Sequence, residues 1–292
     1  MFIATLLTNP KHPTLDRALV ESLRNAWGGG KAVWLDPGVA AEFTIAAKPL
    51  NLWDVWQDLQ AKGIDLLVQS EAGRKKRLLI ADMDSTMIEQ ECIDELAEMA
   101  GVGAHVAAIT ARAMNGELDF ELALSERVGL LKGLPEAIID EVIRDRITLM
   151  PGGRVLVATM KANGAYAALV SGGFTAFTSA MGATLGFDED RANTLGISHG
   201  KLTGTVIPPI LGRAAKVQAL EEIAGTLGIS VDDAIAVGDG ANDLGMLAKA
   251  GAGVALHAKP RVAAQCDLRV SHGDLTALLY IQGYRRDQFV SE

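Results

Sequence analysis

Short runs of apolar residues recur along the last two thirds of the chain. Residues 78–81, 167–170 and 234–237 are continuously apolar, and a fourth run covers residues 253–256. Runs of this length are typical of parallel strands that are buried on both faces. The second and third runs each end in a polar turn that contains glycine and then lead into helical sequence. The pattern predicts an α/β domain with a doubly wound parallel sheet, in which ligands bind at the carboxyl ends of the strands.

A long segment without a strand pattern separates the first two runs. It covers roughly residues 89–150, is rich in helix-forming residues, and is too long for a simple crossover between strands. Glycines at positions 101–103 and 129–133 are candidate breaks between its helices. The segment predicts a helical cap that is inserted into the sheet domain.

The first 77 residues follow a different pattern. Their periodicities predict the order strand, helix, hairpin, helix and strand, over residues 2–7, 15–27, 31–47, 52–62 and 64–69. This βαββαβ order resembles the small ACT-like and ferredoxin-like modules that are attached to amino-acid enzymes. We therefore expect a small N-terminal α+β module, for which the resemblance allows a regulatory role.

A basic run at residues 73–77 marks the boundary after this module. Charge runs of one sign are usually solvated, so we expect this one to be an exposed connector. The predicted division is residues 1–77 for the module and residues 78–292 for the sheet domain with its cap. All candidate catalytic side chains described below follow the boundary, so we expect the module to be dispensable for chemistry.

Composition narrows the class of function. Of the 292 residues, 49% are hydrophobic and 22% are charged, which is typical of a folded protein. The net charge of −9 argues against general binding to nucleic acid or anionic membranes. No apolar run approaches the roughly 18 residues of a membrane span, and Cys92 and Cys266 lack the spacing of a disulfide framework or zinc site. We expect a cytoplasmic protein without nucleic-acid or membrane partners.

Acidic residues follow two of the predicted strands. Asp82 and Asp84 come directly after the first run, and Asp239 and Asp243 come directly after the third. In a parallel sheet these carboxylates would crowd at one edge, where their repulsion requires a cation. Oxygen ligands of this kind suit Mg²⁺. The sequence therefore predicts a magnesium site at this edge of the sheet.

Two further features are weak signals when each is taken alone. Ser171 and Gly172 follow the second run near a helix start, where a hydroxyl group and backbone amides suit a phosphate oxygen. Lys216 lies within a predicted helix, and a single helical lysine is more often a solvated surface residue than a ligand-binding one.

Taken together and in this order, these motifs resemble those of the haloacid dehalogenase-like phosphatase superfamily. The resemblance spans roughly residues 78–256 and implies a Rossmann-type core with the inserted cap. It implies that Asp82 is the nucleophile and Asp84 the general acid and base. It also implies phosphate and metal ligands: Ser171, Gly172, Lys216 and Asn242 for the substrate, and Asp82, the Asp84 main-chain carbonyl, Asp239 and Asp243 for Mg²⁺.

The segment 82–97 narrows the resemblance to the phosphoserine phosphatase family. In that family the positions of Glu91 and Arg127 contact the substrate ammonium and carboxylate groups, and those of Met114 and Phe120 present apolar side chains to the substrate. From the residues alone, the two charges would be ordinary exposed helix residues and the two apolar side chains would belong to the cap core. Ala215 departs from the glycine of some relatives, which leaves the geometry of the neighbouring lysine open.

The resemblance implies a specific reaction. The expected activity is Mg²⁺-dependent hydrolysis of O-phospho-L-serine to L-serine and phosphate through an aspartyl phosphate, the last step of L-serine biosynthesis. One alternative is a phosphatase for another small phosphorylated amino acid or alcohol. The other is a signalling domain that accepts phosphate on aspartate, although such a domain has no helical cap. The expected partner is the small-molecule substrate, and the sequence is compatible with a homodimer.

Overall fold

The computed structural model describes residues 1–115 and 117–290. Its N-terminal module contains a four-stranded antiparallel sheet in the order β2-β3-β1-β4, with two helices. This is the βαββαβ order expected from the sequence. The elements are β1 (Phe2–Leu7), α1 (Arg17–Ala26), β2 (Val33–Asp36), β3 (Ala40–Ile45), α2 (Leu52–Gln60) and β4 (Asp65–Ser70).

The remaining chain forms a seven-stranded sheet in the order β11-β10-β9-β5-β6-β7-β8. All neighbouring pairs are parallel except β7 and β8, which form an antiparallel hairpin. The predicted fold class is thereby confirmed. The strands are β5 (Leu78–Ala81), β6 (Tyr166–Phe174), β7 (Glu189–Ser198), β8 (Lys201–Ile207), β9 (Ala234–Gly238), β10 (Ala252–Leu256) and β11 (Leu268–Val270).

Helices cover both faces of this sheet, and strand β5 shows why its sequence is continuously apolar. Leu78 and Ile80 pack into the core on one face, whereas Leu79 and Ala81 pack into the core on the other. A strand with two buried faces needs apolar residues at every position. The helices are α7 (Gly153–Ala162), α8 (Thr175–Leu185), α9 (Arg213–Leu227), α10 (Leu244–Lys249), α11 (Pro260–Ala263) and α12 (Ala277–Ile281).

Four helices between β5 and α7 form the cap. Two chain segments connect it to the core, and they pair through an antiparallel bridge between Ile88 and Leu149. Gly101 and Gly133 have positive φ angles of 73° and 88°, in turns that follow helices of the cap. The cap helices are α3 (Cys92–Met99), α4 (Gly103–Met114), α5 (Phe120–Gly129) and α6 (Ile138–Asp145).

The basic run at residues 73–77 is not the freely solvated connector expected from its charge. The guanidinium of Arg74 binds the carboxylate of Glu42 at 2.6 Å, and the ammonium of Lys76 donates to the carbonyl of Asp232 at 2.6 Å. The expectation was wrong for these two side chains: the N-terminal module places Glu42 beside Arg74, and the pairing of β5 with β9 in the core places Asp232 beside Lys76.

The contact between module and core is both apolar and polar. Leu7 and Leu67 belong to the same buried cluster as Leu278 in the core. Asp65 is fully buried, and its carboxylate accepts backbone N–H groups from residues 271–273 at 2.9 to 3.0 Å. Within the described ranges, the helices are too short or too polar to cross a membrane.

Candidate active site

Three buried aspartates meet at the carboxyl ends of β5 and β9. Asp82 directly follows β5, and Asp239 and Asp243 lie on the turn between β9 and α10. One carboxylate oxygen from each lies within 4.8 Å of the others. Gly238 permits this approach, because a Cβ atom there would lie 2.4 Å from the carboxyl carbon of Asp243. The structure thus brings together three of the four predicted metal-binding residues through their carboxylates.

Lys216 joins two of these aspartates. Its ammonium nitrogen lies 2.6 Å from Oδ1 of Asp82 and 2.6 Å from Oδ1 of Asp243. Its side chain is fully buried, and the two carboxylates raise its pKa although burial opposes the charge. Lys216 is therefore a charged member of the site, and not the solvated surface lysine that its helix alone would suggest.

The acidic cluster is electrostatically suited to a metal ion. Burial and the neighbouring Asp243 raise the pKa of Asp82 well above its ordinary value. Burial also raises the pKa of Asp239, to about 6. Both shifts show that the buried carboxylates carry their charges at a cost. A divalent cation with oxygen ligands would remove that cost, so the donor set fits a hard metal ion.

Asp84 lies beside the cluster with a different environment. Its Oδ1 accepts the backbone N–H of Cys92 at 3.2 Å. Its other oxygen packs against Gly173, where a Cβ atom would be only 2.6 Å away. Burial raises the pKa of Asp84, which favours its protonated form. The side chain therefore lies against the last residues of β6, and its raised pKa suits it to carry a proton.

The last residues of β6 supply the predicted phosphate-binding groups. Ser171 is fully buried, and its Oγ accepts the backbone N–H of Gly173 at 2.9 Å. Asn193 holds this end of β6 by donating from its side-chain amide to the carbonyl of Gly172 at 2.9 Å. The Asn242 side chain lies against Gly172 at the same end of β6. Its buried Oδ1 has no hydrogen-bond partner in the described part of the chain.

The cap contributes Arg127, which is only 2% exposed. Its guanidinium donates to the carbonyl of Ala123 at 3.1 Å and to the hydroxyl of Thr110 at 2.9 Å. The Thr110 hydroxyl in turn donates to Asp94 at 2.6 Å. Among the described residues, no carboxylate lies within 4.0 Å of the Arg127 guanidinium. Arg127 is thus a buried cation that is oriented by neutral groups, and burial lowers its pKa.

Glu91 and Phe120 line the same cavity as Arg127. The hydroxyl of Ser85 donates to Oε1 of Glu91 at 2.7 Å, while burial and the nearby Asp84 raise the pKa of Glu91 well above its ordinary value. The Phe120 ring packs so closely on Gly172 that a Cβ atom there would lie 2.7 Å from it. Met114 ends helix α4, but its side chain lies outside the described residues, so its predicted role stays a prediction.

The cavity between core and cap has a volume of about 20 Å³. This is room for about one water molecule, so the cap is closed over the site. Charged groups from the two sides face each other across it. The lining comprises Asp82, Asp84, Glu91, Ile93, Phe120, Leu124, Arg127, Ser171, Gly172, Gly173, Phe174, Asp239 and Asn242.

Three residues at the site were not found in the sequence. Thr110 and Asn193 orient Arg127 and Gly172 from distant positions in the chain, and neither belongs to a recognisable motif. Lys259 lies 2.9 Å from Oδ2 of Asp239. The available signal for Lys259 was its position shortly after the apolar run at residues 253–256, because the carboxyl ends of parallel strands meet at one edge.

Comparison with known proteins identifies the class that this fold and site define. Residues 79–248 match the family model of haloacid dehalogenase-like hydrolases. The chain therefore belongs to the haloacid dehalogenase-like hydrolase family, as its sequence predicted. Within this family, its similar relatives are phosphoserine phosphatases. One of them, from Streptomyces coelicolor, is 42% identical over 86% of this chain and 62% of its own length.

Solved structures give the same result. An HAD-family hydrolase of Salmonella enterica serovar Typhi covers 96% of this chain and 98% of its own, with 32% identity and a TM-score of 0.84. Two phosphoserine phosphatase structures, one with bound substrate and one an analogue of the phospho-aspartyl intermediate, are 42% identical. They cover 70% of this chain and 98% of theirs, with a TM-score of 0.68. The chain spans 62% to 65% of the length of four curated phosphoserine phosphatases that it matches.

Proposed function

We propose that this protein is a Mg²⁺-dependent phosphomonoesterase that hydrolyses O-phospho-L-serine to L-serine and phosphate. The observation that carries the proposal is the buried guanidinium of Arg127, which has no carboxylate within 4.0 Å among the described residues and shares a cavity with Glu91 and the aspartate cluster. The phosphoserine phosphatase relatives support the same assignment.

The unpaired charges define the non-reacting end of the substrate. A buried cation without a counter-ion is costly, and a ligand carboxylate would remove that cost at Arg127. Among the residues that the structure describes, the Ser85 hydroxyl is the one side-chain hydrogen-bond partner of Glu91, so a ligand ammonium group would give this carboxylate a counter-ion. An amino acid carries both groups on one carbon. The cap therefore fits a phosphorylated amino acid better than a simple phosphorylated alcohol.

The reacting end lies on the core. Asp82 attacks phosphorus through a carboxylate oxygen, and the bond from phosphorus to the serine oxygen breaks. Asp84 gives its proton to that leaving oxygen, for which its raised pKa is suited. Water then attacks the phosphorus of the aspartyl phosphate while the Asp84 carboxylate takes its proton. This step releases phosphate and restores Asp82.

The other core residues hold the phosphoryl group. Lys216, the Ser171 hydroxyl and the Gly172 amide stabilise its negative charge. The side chains of Asp82, Asp239 and Asp243, with the main-chain carbonyl of Asp84, would hold Mg²⁺. When bound, Mg²⁺ supplies positive charge to the phosphoryl oxygens. Asn242 is the remaining residue proposed to bind the phosphoryl group, beside Ser171 and Gly172.

The closed cap separates this chemistry from bulk water. A cavity of about 20 Å³ cannot hold phosphoserine, so the cap must open for substrate and product. The same cap argues against the alternative of a signalling domain that accepts phosphate on aspartate, because such a domain has no helical cap. A cytoplasmic location, a homodimer, a role in L-serine biosynthesis and a regulatory N-terminal module stay predictions.

A substrate panel tests the proposal. Phosphate release should be fastest with O-phospho-L-serine, slower with phosphoethanolamine, which lacks the carboxylate, and slower with phosphoglycolate, which lacks the ammonium group. EDTA should abolish all three activities and Mg²⁺ should restore them. Equal rates for the three compounds would contradict the substrate assignment, and full activity after exhaustive EDTA treatment would contradict the metal assignment.

A further inference from the structure

Lys259 is a second lysine at the metal-binding cluster, and the reaction above does not use it. Its ammonium nitrogen lies 2.9 Å from Oδ2 of Asp239. Lys216 contacts the other two aspartates, so the two lysines bind different carboxylates of the cluster. The Lys259 side chain is 34% exposed, whereas that of Asp239 is 2% exposed. Lys259 thus reaches from the solvent edge to a buried carboxylate.

The backbone holds Lys259 in this position. His257 adopts a left-handed conformation with φ of 46°, and its Nε2 donates to the carbonyl of Gly273 at 2.7 Å. The backbone N–H of His257 also donates to the carbonyl of Val270 at 2.8 Å. Gly273 is itself held by the buried carboxylate of Asp65. A non-glycine residue keeps such a backbone conformation only where its surroundings enforce it.

The charges of the aspartate cluster show how Lys259 relates to a metal ion bound there. The three aspartates carry three negative charges, and Lys216 neutralises one of them. A divalent cation held by the same three carboxylates would neutralise the other two charges and would share Asp239 with Lys259. Without a metal ion, Lys259 is the cation that faces Asp239 directly. Lys259 and a metal ion at the cluster would therefore draw on the same carboxylate group.

We propose that Lys259 is an internal counter-ion of Asp239 that competes with the metal ion. It stabilises the metal-free site and weakens metal binding, because an incoming cation must displace it from Asp239 and is repelled by its charge. The partly exposed side chain can turn into solvent when it is displaced. The inference rests on the metal site of the proposed function and is independent of its phosphoserine specificity.

Metal titration tests the proposal directly. EDTA-treated and dialysed protein is titrated with Mg²⁺ in an isothermal calorimeter. Lys259→Met should bind Mg²⁺ about fivefold more tightly than the wild type, as the loss of an ion pair with one partly exposed member would produce. Lys259→Arg keeps the charge and should bind like the wild type. Lys249→Met is the matched control, because Lys249 pairs with Glu221 on an exposed surface.

Thermal unfolding provides a second measurement that needs no activity. In EDTA, Lys259→Met should melt below the wild type, because Asp239 loses its counter-ion. Saturating Mg²⁺ should raise its Tm by more than it raises that of the wild type. If Lys259→Met does not fold, Lys259→Gln replaces it in both measurements, because glutamine also removes the positive charge.

Three results would overturn the inference in distinguishable ways. Unchanged Mg²⁺ affinity in the charge-removing variants would show that Lys259 does not compete with the metal. Weaker Mg²⁺ affinity would make Lys259 a supporting residue of the metal site. No Mg²⁺ binding to the wild type would remove the metal assignment on which the inference rests, and only this result would also contradict the proposed function.

Discussion

The ammonium group of Lys216 lies 2.6 Å from the carboxylate of Asp82, and both side chains are almost inaccessible to solvent. Lys216 favours the charged form of Asp82, but burial and the neighbouring Asp243 outweigh it and raise the pKa of Asp82 well above its ordinary value. A metal ion at the cluster would add positive charge beside Asp82 and favour its carboxylate form, which is the form that attacks phosphorus.

Replacement of Asp82 should therefore stop the reaction. Asp82→Asn leaves an amide, a far poorer nucleophile, and phosphate release from phosphoserine should fall at least about 10³-fold. Rapid quenching and mass spectrometry should detect a phosphorylated aspartate in the wild type and none in the variant. Asp58→Asn, on an exposed face of α2, is the control. A near wild-type rate in freshly prepared, undeamidated Asp82→Asn would contradict the covalent scheme.

Arg127 should act on the substrate carboxylate. Arg127→Ala should weaken transition-state binding of phosphoserine by about 2 to 4 kcal/mol, measured as the change in kcat/KM. Phosphoethanolamine has no carboxylate and should lose much less. Arg112→Ala is the control, since Arg112 lies on the same cap with a side chain that is 59% exposed. Equal losses for the two substrates would be inconsistent with the role given to Arg127.

Metal affinity should depend on pH through Asp239. Its pKa is raised to about 6 by burial, with Asp243 adding to the shift and Lys259 opposing it. The raised pKa of Asp82 acts in the same direction, while Lys216 opposes it. A proton on Asp239 must leave before the metal binds, so affinity should fall as pH drops below about 6.

Calorimetry checks this dependence. Proton competition at this single group makes Mg²⁺ binding about tenfold weaker at pH 5 than at pH 7. Titrations in two buffers with different ionisation enthalpies should show proton release at pH 5. Identical affinities at the two pH values, without proton release, would argue against a titrating Asp239 in the metal-free site.

The central sheet could be predicted because its strands carry their own signal. Continuous apolar runs at residues 78–81, 167–170 and 234–237 reflect burial on both faces. Strands β7 and β8 lie at the sheet edge and mix exposed with buried positions, so their sequences lack that signal. The core of the sheet was predictable for this reason, whereas its edge was not.

Some residues of the candidate site could also be predicted from the sequence, whereas others could not. Asp82 and Asp239 could be placed together because the ends of parallel strands converge. The burial of Arg127 depends on Thr110, which lies on a different helix and approaches only through packing of the cap. Lys259 depends on a loop that the N-terminal module supports through Asp65. Such contacts arise from tertiary packing, which local sequence patterns do not encode.

The N-terminal module should be needed for stability although it supplies none of the proposed catalytic side chains. Asp65→Ala removes the buried acceptor of three backbone N–H groups and should lower the free energy of unfolding by about 3 kcal/mol. Urea denaturation measures this loss, and Asp58→Ala is the exposed control. An Asp65→Ala protein as stable as the wild type would show that the module is only loosely attached.

Deletion of the module separates its structural role from chemistry. A protein that begins at Arg74 exposes the apolar surface that Leu7 and Leu67 cover, so it should melt at a lower temperature and aggregate more readily. Its soluble fraction should still release phosphate from phosphoserine, because the aspartates, Lys216 and the cap remain. A folded, Mg²⁺-binding truncation without phosphatase activity would instead assign the module a part in catalysis, through the loop that carries Lys259.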